Sequence, residues 1–415
     1  MSNPSQTSTV DAPQPDLSSG RWSAERTRVL WLYAITFIVQ GSISLVQMGF
    51  PFFAQRLWEW SELDNLLLSV VMGAVYPAGA MLAAPLSRRL GAVASVRLLW
   101  GLLALLLTVG WLGLDVRWLV CVAIVLVIFV LAGMWPLVES LLTARCPQGG
   151  LNVRVSRFNL LWSSAVAMAI AMNGVILAYW PGLVFLLPAA VMGLLALVGG
   201  GRRLWPPVEH ASEQSLPADS SSEASLERTL VALWRSRILL PGLYAVAFAV
   251  NVLLPYHPMI KGQAVVWATV LGSVWMAARF AGFWWLGRTA WWHDRPGLLL
   301  WAGVVVIPVS SLILYPPVNL FPMLAQHGWL QISLLVCFQT VLGLCFALVY
   351  SASLYFGMRV SDGSTEHGGY HEAVVGAGMA AGPMLAWLSL AAGVSAVPGL
   401  ALLLAVLVLV AWRWR

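Results

Sequence analysis

Apolar runs long enough to cross a membrane fill nearly the whole chain, and no other feature constrains the fold as much. Twelve can be delimited, at 29–50, 66–86, 95–114, 118–142, 157–179, 181–200, 238–256, 263–287, 297–315, 329–356, 371–392 and 396–412. A helix needs ~20 apolar residues to span the hydrocarbon. Lipid offers no partner to an open backbone group, so helices are expected, whereas a barrel would show short alternating segments. Of the 415 residues, 60% are hydrophobic and 10% charged. That balance leaves too little polar surface for a soluble domain and no length for a separate catalytic one. The expectation is an all-α polytopic membrane protein with the lipid bilayer as its first partner.

The basic residues set the orientation. Nineteen of the 23 Lys and Arg fall in alternate loops: Arg21, Arg26 and Arg28; Arg88, Arg89 and Arg97; Arg145, Arg154 and Arg157; Arg202, Arg203, Arg228, Arg235 and Arg237; Arg288 and Arg295; Arg359; Arg413 and Arg415. Cytoplasmic loops carry excess Lys and Arg, so both termini are expected in the cytoplasm. Arg56, Arg117 and Lys261 fall on the other side, and Arg279 falls within a span. The formal charge of +6 is explained by this topology. The basic residues carry no nucleic-acid motif, and no nucleic-acid partner is expected. Four cysteines follow no metal-ligand spacing, and no disulfide framework or cofactor is expected.

Residues 1–28 read as a disordered cytoplasmic tail without the apolar core of a signal peptide. Residues 201–237 form the one long interruption and divide the chain into six-span halves, 29–200 and 238–415. This linker is Pro-, Ser- and Glu-rich from Pro206 to Glu223, and places Leu226, Leu230, Leu233 and Trp234 on one face of a short helix expected to lie on the membrane surface. Spans four and five are weakly similar to spans ten and eleven: AGMWPLVESLL then SRFNLLWSS, against ALVYSASLYFG then GGYHEAVVG. In each pair a polar loop is followed by an aromatic–polar pair, Phe158-Asn159 or Tyr370-His371, expected to open the next helix. Halves repeated about an axis along the membrane normal are one plan used by transporters.

Twelve spans, inner termini, a long central loop and this repeat resemble the major facilitator superfamily over residues 28–412. The stretches WPLVES…SRFNLLWS and YHEAVVGAGMAAGPMLAW are similar to a bacterial branch with mostly unassigned substrates. The family's loop after span two reads Gly-x-x-x-Asp-Arg-x-Gly-Arg-Arg. Here Arg89 and Gly91 match, but Arg88 stands at the acidic position and the distal basic pair is absent. In the family that Asp helps latch the two halves in the outward-open state, so the resemblance implies an altered latch. It also implies a secondary transporter of a bacterial cytoplasmic membrane, acting as a monomer on a small solute, with protons as the candidate coupling ion.

Polar side chains inside apolar spans mark the candidate solute path. Tyr33, Thr36, Gln40, Ser44 and Gln47 of span one share one helix face. Such groups line a cavity or bond to neighbouring helices. Span seven offers Tyr244 and Asn251, span five Asn159, Trp162, Ser163 and Asn173, and span ten Gln339, Tyr350 and Ser353. Arg279 carries the sharpest expectation. A cation there costs at least ~2.5 kcal/mol on insertion scales and should face the bundle interior, holding an anionic solute group or an ion pair. The alternative is an Arg that snorkels to the headgroups.

Glu139, after the Trp135-Pro136 break, is a candidate for proton coupling or for a latch to Arg154 or Arg157. Glu372 is expected near the start of span eleven, where it suits the helix dipole. His367 and His371 have the spacing of a metal pair, but Gly368-Gly369 are expected to interrupt the helix, so no metal site is expected. Gly376, Gly378, Gly382 and Pro383 form a close-packing and bending device. Besides transport, two functions remain open: a transport-inactive receptor or scaffold, and a membrane-embedded transferase. The transferase is disfavoured because all six His lie outside the expected span cores, so the protein is not expected to be an enzyme.

Overall fold

The computed structural model describes residues 19–143, 146, 148–199, 223–315 and 327–414. Their regular structure is helical throughout. Ten helices are long and apolar enough to cross a membrane: Glu25–Trp58 (span one), Glu62–Leu90 (two), Ala92–Leu112 (three), Arg117–Thr143 (four), Gly150–Tyr179 (five), Leu226–Tyr256 (seven), Val265–Gly287 (eight), Gly297–Leu314 (nine), Gly328–Ser361 (ten) and Thr365–Ala391 (eleven). Two shorter apolar helices, Leu183–Val198 (six) and Val397–Arg413 (twelve), complete the twelve. Leu105, Leu197 and Trp301 are more than half exposed, as side chains facing lipid should be.

Three expectations about element boundaries are corrected. The first concerns the surface helix before span seven. Helix Glu223–Leu253 is continuous, because no Gly or Pro interrupts 223–240. Leu226, Leu230 and Trp234 are exposed on it while Leu233 is buried. The remainder of the linker, and residues 1–18 of the expected tail, lie outside the described residues. Secondly, the helix of span one already begins at Ser19, inside that tail.

The third correction places the start of span eleven at Thr365, with Ser364 as its N-cap accepting from the His367 amide at 3.2 Å. Asp362 and Gly363, both at positive φ, make the tight turn from span ten. Gly368 and Gly369 do not break the helix, because they lie where it passes close to Pro136 and Ala80. Glu372 is therefore two turns inside span eleven and not a capping residue, and His371 is buried in its core. Tyr370 and Phe158 likewise lie within helices and do not open them.

Spans two and eleven, and spans five and eight, pack against one another across the two six-helix halves. Without a hydrophobic driving force in lipid, such contacts rest on close packing at small residues. Gly73 is the clearest case: a Cβ there would lie 2.3 Å from the Ala380 nitrogen. Gly376 similarly sits against Pro77.

Neutral hydrogen bonds join the halves at the end away from the Arg-rich loops. Asn65 donates to the Pro51 carbonyl (3.2 Å) and to the Tyr256 hydroxyl (2.6 Å), and Tyr256 donates to the Trp60 carbonyl (2.7 Å). At the basic end, Arg88 pairs with Glu366 at 2.5 Å, both side chains being more than half exposed. The unexpected Arg88 thus has a cross-half carboxylate partner. Exposed pairs contribute about 0.2–1 kcal/mol, so Arg88→Glu should open the basic end by at most about fivefold in population. The double exchange Arg88→Glu/Glu366→Arg should restore it. Spin-label distances across that end measure both effects.

Candidate substrate cavity

A cavity of about 60 Å³ lies between the halves, bordered by side chains of spans one, two, four, five, seven, eight, ten and eleven. It has room for a few water molecules. Arg279 of span eight is its chemical centre, 1% exposed. The guanidinium carbon lies 3.8 Å from the ring centre of Phe346, 4.3 Å from Trp162 and 4.6 Å from Tyr350. Desolvated cation–π contacts of this kind are worth about 2 kcal/mol, which offsets much of the insertion cost. One nitrogen donates to the Tyr244 hydroxyl at 3.4 Å, while the Nε–H has no partner. Among the described residues no carboxylate forms an ion pair with Arg279. It does not snorkel; it is a buried cation held by aromatic faces.

Neighbouring spans fix the aromatic wall. Trp162 donates to Asn159 one helical turn earlier at 3.1 Å, which sets the indole against the guanidinium. Tyr350 packs edge-on against Trp162, 5.3 Å between ring centres. Gln40 and Gln47 of span one border the cavity, Gln40 donating to Ser44 at 3.1 Å. Glu139 and Glu372 border it from spans four and eleven. Glu372 accepts a short hydrogen bond from Tyr76. Both carboxylate oxygens of Glu139 are buried without a hydrogen-bond partner. The latch from Glu139 to Arg154 or Arg157 does not form, since neither Glu139 oxygen has a partner and Arg154 pairs with Glu25 at 2.5 Å.

Of the residues expected along the path, Gln40, Gln47, Trp162, Tyr244, Arg279, Tyr350, Glu139 and Glu372 converge on this cavity. Tyr33, Asn251 and Gln339 do not border it, a correction with one cause. Their polar atoms bond to backbone carbonyls, Tyr33 to Arg154, Asn251 to Met48 and Gln339 to Leu271. Arg89 is exposed at the end of span two, and Gly91 makes the turn into span three at φ 79°. Tyr76, Phe248 and Trp275 border the cavity without having been singled out, and Phe158 does so although it was expected only to open a helix. Tyr76 was readable as a hydroxyl within span two beside Pro77. The other three are indistinguishable in sequence from lipid-facing aromatics.

No protein-family profile matches the sequence, and no curated protein matches it. Solved structures do. The chain is similar to the major facilitator superfamily transporter FucP in an outward conformation, at 18% identity and a TM-score of 0.59 over 93% of this chain and 98% of that one. It is similar to a substituted form of the Escherichia coli fucose:proton symporter FucP at 17% identity and 0.58, with the same coverage. The nucleoside transporter NupG, also in a substituted form, gives 15% and 0.59, again over 93% and 98%. A likeness of this extent at such low identity establishes architecture. This multi-pass membrane chain has the fold of the major facilitator superfamily.

Proposed function

We propose that the protein is a secondary transporter that carries a small anionic solute across a bacterial cytoplasmic membrane by alternating access. In this reading residues 29–200 and 238–415 are the moving halves, 201–237 the cytoplasmic link, and the monomer is the working unit. The observation that carries it is Arg279, a buried cation that forms no direct ion pair among the described residues, beside a cavity between the halves. Buried charge of this kind is retained in membranes where it meets a ligand or a partner. An anion entering the cavity completes the charge that the aromatic wall only solvates. Gln40, Gln47 and Tyr244 supply further donors and acceptors, and the surrounding rings supply flat apolar walls.

Protons are the proposed coupling ion, because Glu139 and Glu372 share the cavity with Arg279. Neither oxygen of Glu139 has a hydrogen-bond partner, so a proton is the simplest group it can take up there. Arrival and departure of a proton at Glu139 would then accompany the movement of the solute. Uptake by proteoliposomes tests this. Glu139→Gln should remove the stimulation given by a pH gradient while leaving solute binding in place. An undiminished pH response would overturn the coupling role.

The receptor reading rested on the altered loop after span two. Arg88 there has its own cross-half partner, which favours a working gate at that end. The solute itself is best sought by a thermal-shift screen of organic acids, sugar acids, nucleotides and neutral controls, since ligand binding raises apparent stability.

A further inference from the structure

We infer that Glu139, His371 and Glu372 form a binding site for a divalent transition-metal ion of the zinc class, shared between the two halves. One ligand atom from each lies within 4.8 Å of the others, Glu139 from span four and the other two from span eleven. All three residues are at least 96% buried. Glu139 has both oxygens without a hydrogen-bond partner, and so does the Nε2 atom of His371. Glu372 has one oxygen bonded to Tyr76, but Glu139 and the Nε2 of His371 leave the cluster short of partners.

The second contact of His371 sharpens the reading. Its Nδ1 lies 2.9 Å from the Ser353 hydroxyl of span ten. A metal-bound imidazole is oriented in this way by a hydrogen bond at its other nitrogen. Nε2 then presents its lone pair toward the Glu372 carboxylate at 4.0 Å. A shared proton would draw such partners to about 2.7–3.0 Å. Two ligands on one zinc ion, each at ~2.1 Å, stand ~3.4 Å apart in a tetrahedron. The spacing observed is closer to the second distance, and rotation of the two glutamate side chains covers the remainder.

Gly368 keeps this space open, since a Cβ there would lie 3.2 Å from Glu139 Oε2. One imidazole and two carboxylates suit zinc-class ions, whereas calcium would require six or more oxygens. Because Glu139 and Glu372 border the cavity, a coordination position is left for water. Two negative charges balance the ion's two positive ones. The ligands come from spans of opposite halves, so the ion would bind most tightly when the halves are together.

The test uses the full chain, purified without a histidine tag and stripped with chelator, then titrated with zinc chloride in a calorimeter. One equivalent of zinc should bind and raise the apparent Tm by several degrees. His371→Gln and Glu139→Gln should each remove that equivalent, and Ser353→Ala should weaken it by about 10–100-fold. Arg279→Ala should keep the one-to-one stoichiometry and bind zinc no more weakly, since it removes a neighbouring positive charge, which keeps this outcome separate from the anion-transport reading. X-ray absorption of zinc-loaded wild type should show nitrogen and oxygen neighbours only. It decides the question if the variants do not fold. Absence of binding, stoichiometric binding unchanged in His371→Gln, or a sulfur-containing shell would each overturn the proposal.

Discussion

Arg279→Ala is expected to lower affinity for an anionic solute by roughly a hundredfold, or about 3 kcal/mol, within the range for truncating one partner of a buried charge pair. Transport of that solute should fall with it. The same change removes a cation whose burial is costly and leaves a gap among Phe346, Trp162 and Tyr350. These effects oppose each other, so the apparent Tm should move little and the loss cannot be assigned to unfolding. Arg279→Lys keeps a point charge but loses the planar face that stacks on three rings. Binding should survive in weakened form. Wild-type affinity in the alanine variant would show that the guanidinium only fills space. Equal loss in both variants would show that the plane, and not the charge, is read.

The second large effect is expected at Gly73. A methyl group there would lie 2.3 Å from the Ala380 nitrogen and 2.4 Å from the Met379 carbonyl carbon. Backbone cannot rotate away as a side chain can, so spans two and eleven must separate. Overpacking of this kind costs about 1–3 kcal/mol, and here it falls on a contact between the halves that the proposed transport cycle would make and break. Gly73→Ala should insert and fold but populate the closed form poorly, and transport should drop to near background. Thiol labelling of a cysteine placed at Gln47, in a background without the native cysteines, should rise at the same time. Gly101→Ala is the control, because nothing lies within 4 Å of a Cβ at that position. Wild-type transport in the Gly73 variant would mean that this contact does not take part in the cycle.

Twelve spans were legible because lipid imposes one physical requirement along the whole chain, and Arg279 because one charge stood out within it. What surrounds Arg279 was not legible. Trp162, Phe346 and Tyr350 come from spans five and ten, and nothing local to span eight names them. A polar stripe also says only that a helix face is interior. Gln40 and Asn251 look alike in one dimension, yet one borders the cavity and the other ends on a backbone carbonyl. The start of span eleven was misread for a related reason. Ser-Thr-Glu-His-Gly-Gly has loop composition, and the groups that make it helical, Pro136 and Ala80, are more than 200 residues away in sequence. With that boundary misplaced, His371 passed for a surface residue and its cluster with Glu139 was hidden.

The contacts that join the halves at the two ends are made of different materials. Tyr256 and Asn65 hold one end with neutral hydrogen bonds, while Arg88 and Glu366 hold the other with opposite charges in solvent. Dissolved ions weaken only the second kind, since an exposed pair is screened within ~8 Å at physiological ionic strength. In the proposed cycle, the ionic composition of the compartment at the basic end would therefore enter the conformational equilibrium directly through this pair.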